Sequence, residues 1–204
     1  MANILHINSS VRTAGSLSRQ LSAEFLGQWR ANHPTDSIVE RDLAAQPVPH
    51  LSEEILGAFF TPAANRTPAQ NQTAQLSEQL IAELFAADVI VIGAPMYNFS
   101  ISSGLKAWID QVARAGLTFK YTETGPVGLV TGKKVYVFTS RGGVYSSGPG
   151  KAMDFHETYL RAVLGFIGLT DITFVHTEGV ALGEAAVGNA LTQTRSAITE
   201  LAAA

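Results

Sequence analysis

Three short segments carry residue types able to bind a small charged or aromatic molecule. The first, Asn8-Ser9-Ser10-Val11-Arg12-Thr13-Ala14-Gly15-Ser16-Leu17-Ser18, holds four serines and a threonine and runs into a helical pattern. Ser16 falls where an N-cap would sit. A helix start leaves backbone N–H groups free at the positive end of the helix dipole, and hydroxyls add neutral donors, so the combination suits a phosphate. Capping and turn chemistry is the plainer use of the same serines; their number at one place tips the reading toward phosphate. The second segment, Ala94-Pro95-Met96-Tyr97-Asn98-Phe99-Ser100, joins a proline-fixed turn to two aromatics, an amide and a thioether. It can lay flat apolar surface along a planar heterocycle, or simply pack as a strand-to-helix turn. The third, Thr139-Ser140-Arg141-Gly142-Gly143, continues through Val144-Tyr145-Ser146-Ser147-Gly148-Pro149-Gly150. Its paired glycines permit a close approach of backbone N–H groups to a ligand, although the Gly148–Gly150 part reads equally as a flexible surface loop.

Other chemistries are poorly supplied. There is no cysteine, which excludes disulfides, thiolate metal sites and cysteine nucleophiles. The five histidines, at 6, 33, 50, 156 and 176, form no metal-ligand pattern, so no metal is expected. Gly128-Leu-Val-Thr-Gly132-Lys133-Lys134 is one residue short of a P-loop, lacks its Ser/Thr and precedes a strand instead of following one. No GxSxG elbow occurs, and no GxGxxG follows the first strand.

The elements around these segments alternate. Ile4–Ile7 reads as a strand, and Leu17, Leu21, Phe25 and Trp29 mark one face of a helix stopped by His33-Pro34. Ser37–Leu43 is a second strand. Pro47, Pro49, Pro62 and Pro68 bracket an irregular excursion with a short helical piece, Leu51–Phe60; such long connections are often functional. Leu76, Leu80 and Leu84 mark the next helix, and Val89–Ile92 is a continuous apolar strand of the kind buried on both faces of a parallel sheet. A helix over Leu105, Ile109 and Val112, a strand at Val135–Phe138, a helix over Phe155–Phe166, a strand at Ile172–Val175 and a helix over Leu191–Leu201 complete the pattern. Five strands alternating with helices imply right-handed crossovers and an α/β three-layer sandwich, with 2-1-3-4-5 the leading strand order and one domain over residues 1–204. In that order ligands bind beyond the carboxyl ends of the strands at the switch in strand order, which selects the three segments above.

Composition narrows the partners. Charged residues are 15% of the 204, against about 25% for an average domain. The formal net charge is −3, which argues against nucleic acid, because phosphate-backbone binding needs clustered Lys and Arg. No stretch approaches the length of a membrane span. Ile4–Ile7 is too short for a signal-peptide core and lacks a basic flank, so a cytoplasmic location is expected.

Together the three segments, with Val112-Ala113-Arg114-Ala115-Gly116 before Thr118-Phe119 and with Leu164-Gly165-Phe166-Ile167-Gly168, resemble the FMN-dependent NADH-azoreductase (NADH:quinone reductase) family of the flavodoxin-like superfamily. The likeness runs along essentially the whole chain. It implies bound FMN, with NADH or NADPH as electron donor and quinones, azo compounds and nitroaromatics as acceptors. It implies that Ser10, Ser16, Leu17 and Ser18 hold the FMN phosphate, that Met96, Tyr97, Asn98 and Phe99 line the isoalloxazine ring, and that Ser140, Arg141, Gly142 and Gly143 meet its other edge. Leu17 stands where relatives often carry a polar residue, so its backbone is expected to make any contact. Tyr121, Phe60 and Tyr145 are implied at the substrate pocket, and a homodimer with active sites at the interface is implied as the working form. The flavin would carry the redox chemistry, leaving no protein residue as nucleophile or essential acid. Two other classes are compatible with the fold: a flavodoxin-like electron carrier that does not itself oxidise NAD(P)H, and a cofactor-free scaffold. Electron carriers tend to be more acidic, because charge steers their docking, and −3 over 204 residues counts against that class.

Overall fold

A computed structural model describes residues 1–203. Its central sheet has five parallel strands: β1 (Asn3–Asn8), β2 (Ser37–Asp42), β3 (Val89–Pro95), β6 (Lys134–Ser140) and β7 (Asp171–Thr177), in the order β2-β1-β3-β6-β7. Counting only strands of this sheet, the order is the expected 2-1-3-4-5. Two further strands, β4 (Phe119–Thr122) and β5 (Gly125–Gly128), form a separate antiparallel hairpin absent from the sequence reading.

The apolar runs divide cleanly between two faces, as period-2 side chains must. Ile90, Ile92 and Ala94 of β3 join Leu5, Ile7, Val135 and Val137 on one face. That face is covered by α3 (Pro68–Ala86), α4 (Ser103–Val112) and α5 (Glu157–Phe166), through residues such as Leu80, Trp108 and Leu164. Val89 and Val91 join Ile4, Tyr136 and Phe138 on the other, beneath Phe25 and Trp29 of α1 (Leu17–Asn32) and Ile198 of α6 (Glu184–Ala202). The excursion after β2 resolves into α2 (Glu53–Phe60) and a 3₁₀ turn at Ala63–Asn65, before Thr67 caps α3 with a reciprocal bond to Gln70. Phe155, counted with the fifth helix in the sequence pattern, stands outside it and is exposed.

All seven residues of β3 are buried, and α1 crosses close above it. A Cβ on Gly93 would meet Asn8 Oδ1, the Ser18 carbonyl and Ser22 Oγ at 3.2 Å each. The absent side chain therefore lets the start of α1 sit directly over the ends of β1 and β3. Among the described residues no helix is long and apolar enough to cross a membrane.

Candidate active site

The ends of β1, β3 and β6 open onto one slot, built from three walls. The first is the loop after β1 and the start of α1. Ser9 is pinned to β3 through its N–H and hydroxyl, both donating to the Gly93 carbonyl at 3.0 and 2.8 Å. Ser16 occupies the N-cap in extended conformation but makes no side-chain cap bond; its Oγ instead shares a hydrogen bond with Ser18 Oγ at 3.2 Å. The first-turn N–H groups of α1 are thus left for something else. Arg12 curls back over the loop, its guanidinium close enough to fill the space beside Gly15.

Arg19 braces this wall from behind. It forms a forked pair with Asp42 at 2.7 and 2.6 Å and donates to the Ser10 carbonyl at 3.0 Å. The Arg19 bonds, with N–H donors from Ala44 and Ala45, outweigh burial and hold the Asp42 carboxyl at about 2. A depressed folded-state pKa adds stability that is complete above the ordinary carboxylate range and disappears as pH falls through the depressed value. Urea unfolding of the wild type should therefore lose on the order of 2 kcal/mol from this site between pH 4 and pH 2. Asp42→Asn should flatten that part of the profile; an unchanged slope would show that the pair does not couple to folding.

The second wall follows β3. Met96 N–H donates to the Ser140 carbonyl at 2.9 Å, tying this loop to the next. Tyr97 and Ser100 exchange backbone bonds at 2.9 and 3.0 Å around Asn98 and Phe99, whose φ values are +48° and +70°. Two successive left-handed residues are the signature of a type I′ turn, which favours Asn then Gly. Asn98 fits that preference and Phe99 does not. Such a residue costs of order 1–3 kcal/mol, a penalty consistent with a functional use of its ring. Phe99→Gly is expected to leave the fold as stable or up to about 1 kcal/mol more stable. A melting temperature below wild type would contradict the strain.

The third wall follows β6. The carbonyls of Arg141, Gly142 and Gly143 accept from Val180, Ala181 and Gly179 at 3.1, 3.0 and 3.0 Å. In a trans peptide the C=O of one residue and the N–H of the next point to opposite sides. The bonds at Arg141 and Gly142 therefore turn the N–H groups of Gly142 and Gly143 away from the 179–181 segment. Among the described residues neither N–H has a protein acceptor.

The resulting slot of about 370 Å³ is lined by Ser10, Ser16 and Leu17, by Met96 and Tyr97, and by Ser140 and Gly142. It lies within the range of small-molecule sites. Arg12, Pro95, Val180 and Val187 line it as well and were not singled out in the sequence. Val180 and Val187 come from the β7–α6 connection and carry no motif, whereas Arg12 and Pro95 lay inside segments already selected. Ser18 is wholly buried behind Ser16. Asn98 lies outside the slot and lines an adjoining cavity of about 670 Å³ that meets it at Tyr97. Tyr97 OH and Ser10 Oγ are 3.2 Å apart, joining the first two walls.

Arg141 is placed differently from the sequence expectation. Its guanidinium is fully buried, lines none of the slot, and pairs with Asp154 at 2.9 Å and Glu178 at 3.1 Å. The three residues expected at the substrate pocket divide. Tyr145 lines a different cavity, of about 380 Å³, with Ser146 and Asp154, and stands edge-on to Phe99 at 6.2 Å between ring centroids. Tyr121 and Phe60 instead meet in a separate apolar cavity of about 280 Å³ with Phe59 and Arg114.

A parallel sheet in this order, with an uncapped helix N-terminus at the switch in strand order, defines the flavodoxin-like class of α/β proteins. A family profile described as flavodoxin-like fold matches residues 2–202, and the chain belongs to that family. Among its relatives, an FMN-dependent NADH:quinone oxidoreductase of Herminiimonas arsenicoxydans is 65% identical over 201 residues, 98% of both chains. One of the same description from Azotobacter vinelandii is 54% identical over 90% of both. Among solved structures, an azoreductase from Bacillus anthracis superposes with a TM-score of 0.92 at 30% identity, covering 100% of this chain and 99% of its own. An FMN-dependent NADH-azoreductase from the same species, in complex with FMN, gives 0.88 at 27% identity, covering 99% and 100%.

Proposed function

We propose that the whole chain works as one FMN-binding unit that oxidises NADH and reduces quinones, with azo compounds and nitroaromatics as further acceptors. The observation that carries this reading is a pair of donor sets without protein acceptors at the switch in strand order: the first turn of α1, left uncapped by Ser16, which lines the slot, and the N–H groups of Gly142, which also lines it, and of Gly143 beside it. The relatives' shared description supports it.

The residues present fit FMN. The α1 N-terminus with Ser10 and Ser16 offers neutral donors and a dipole for a phosphate, and Arg12 adds one positive charge. Met96 and Tyr97 supply a flat apolar wall, and the Gly142 N–H, with Gly143 next to it, suits the polar edge of the ring. FMN, when bound, supplies the redox chemistry, accepting a hydride from NADH and passing electrons to the acceptor. The protein's part is binding, orientation and shelter. In this reading donor and acceptor take turns at the cavity of about 670 Å³ beside Tyr97. Varied NADH and quinone should then give parallel double-reciprocal lines; intersecting lines would contradict a shared site. NADPH is the weaker donor in this reading, because its extra phosphate calls for an arginine, and Arg12 is already committed to the phosphate loop.

The working form is a homodimer in the cytoplasm, where NADH is supplied. Phe60 is 79% exposed and Tyr121 74% exposed on one chain, and their cavity shares no lining residue with the slot. A second copy would cover them and bring this apolar wall to the mouth of its partner's slot. Light scattering should give about twice the 21.7 kDa chain mass; a monomer of full activity would overturn the shared site.

A further inference from the structure

The buried cation behind the third wall is linked to the slot through one carboxylate. Glu178 Oε1 accepts from Arg141 Nη1 at 3.1 Å, from Tyr145 N–H at 2.8 Å and from Ser146 N–H at 3.0 Å, and Oε2 takes the Ser146 hydroxyl. Arg141 keeps a second partner in Asp154, whereas the amides of Tyr145 and Ser146 have no other acceptor among the described residues. The bonds of Glu178 therefore fix the loop more than they fix the cation. The loop in turn places the Tyr145 ring against Gly143, where a Cβ would lie 3.3 Å from it, and edge-on to Phe99 of the second wall. Glu178 thus anchors a chain of contacts running from a fully buried guanidinium to the turn at the mouth.

We propose that Glu178 is a positioning residue: its carboxylate preshapes the 141–146 loop so that the Gly142 and Gly143 amides face the flavin and Tyr145 closes against Phe99. This rests on the FMN reading above. The role can be read apart from stability, because Arg141 has a second partner in Asp154 and Glu178→Asp keeps the charge that faces it. It also gives Arg141 a function consistent with its burial: the guanidinium acts through Glu178 and touches no ligand.

The test compares wild type with Glu178→Asp, Glu178→Gln and Glu178→Ala, using amide exchange in the flavin-free protein and FMN affinity by fluorescence quenching. Glu178→Asp keeps the charge for Arg141 but withdraws the carboxylate by one methylene. Exchange at Tyr145 and Ser146 should rise at least about tenfold in the Asp and Ala variants, and the FMN dissociation constant about tenfold, as a preorganised loop becomes one that must be ordered on binding. Glu178→Gln retains an acceptor oxygen and should stay within about threefold of wild type. Glu83→Ala, which breaks the Arg41–Glu83 pair remote from the slot, should lower stability without changing FMN affinity. If Glu178→Asp folds with wild-type exchange and wild-type FMN affinity, the positioning role is overturned while the flavin reading stands. If wild type itself binds no FMN, both fall.

Discussion

Ser16→Asp is expected to make the flavin-free protein more stable and the flavin far weaker. The wild-type serine sits at the N-cap of α1 without capping it. An aspartate there would accept from the first-turn N–H groups and complement the helix dipole, a gain of about 1 kcal/mol, or about 2–4 °C in melting temperature for a chain of this size. The same carboxylate would occupy the donors assigned to the phosphate and repel it. Charge-assisted bonds are worth about 1.5–3 kcal/mol each, so FMN affinity should fall by about a hundredfold or more. Few substitutions move stability and affinity in opposite directions, which separates this outcome from general damage. Unchanged FMN affinity with a higher melting temperature would mean that the phosphate lies elsewhere.

The second large effect is structural. Gly128 ends β5 where the hairpin meets the turn between α5 and β7, and a Cβ on it would overlap the backbone of Ile167 and Gly168. The neighbouring chain cannot swing aside as a flexible side chain would: Val130 N–H donates to the Ile167 carbonyl at 2.9 Å, and Gly168 itself has φ of +109°, where a Cβ of its own would lie 2.9 Å from Val130 O. Gly128→Ala should therefore cost about 3 kcal/mol, read as an earlier urea midpoint with an unchanged slope. Because the hairpin carries Tyr121, the cavity it shares with Phe60 should loosen even where the variant folds. A loss below about 0.5 kcal/mol would show that the two backbones do not meet so closely.

Much of this was legible in the residues. The continuous apolar run of β3 and the alternation of strands and helices specify a parallel sheet, and the strand order then selects three loops as the walls of one slot. Ser10 and Ser16, Met96 and Tyr97, and Gly142 line it. The hairpin was hidden because its strands, Phe-Lys-Tyr-Thr and Gly-Pro-Val-Gly, are four residues long, contain residues depleted in strands, and turn at Glu123-Thr124 without an Asn-Gly signal. The direction of Arg141 was equally hidden. An arginine beside paired glycines reads as a ligand contact, and only the fold reveals that Asp154 and Glu178, 13 and 37 residues away, draw it inward. Phe99 in a left-handed conformation has no sequence signal either, since its φ is imposed by the bonds between Tyr97 and Ser100.

The low charge of the chain also acquires a physical meaning. A phosphate held by hydroxyls and a helix N-terminus needs no basic cluster, and among the described residues Arg12 is the one cation lining the slot. Behind the walls charge is paired, Arg19 with Asp42 and Arg141 with Asp154 and Glu178.

The most direct test of the central claim is an anaerobic one. The protein is loaded with FMN, freed of excess flavin, and mixed with NADH and no other protein; a quinone is then added. The account expects one FMN per chain, rapid loss of the oxidised-flavin absorbance on adding NADH, and its full return with the quinone. A flavin band that persists in NADH, or that bleaches only when a second protein is supplied, would contradict it.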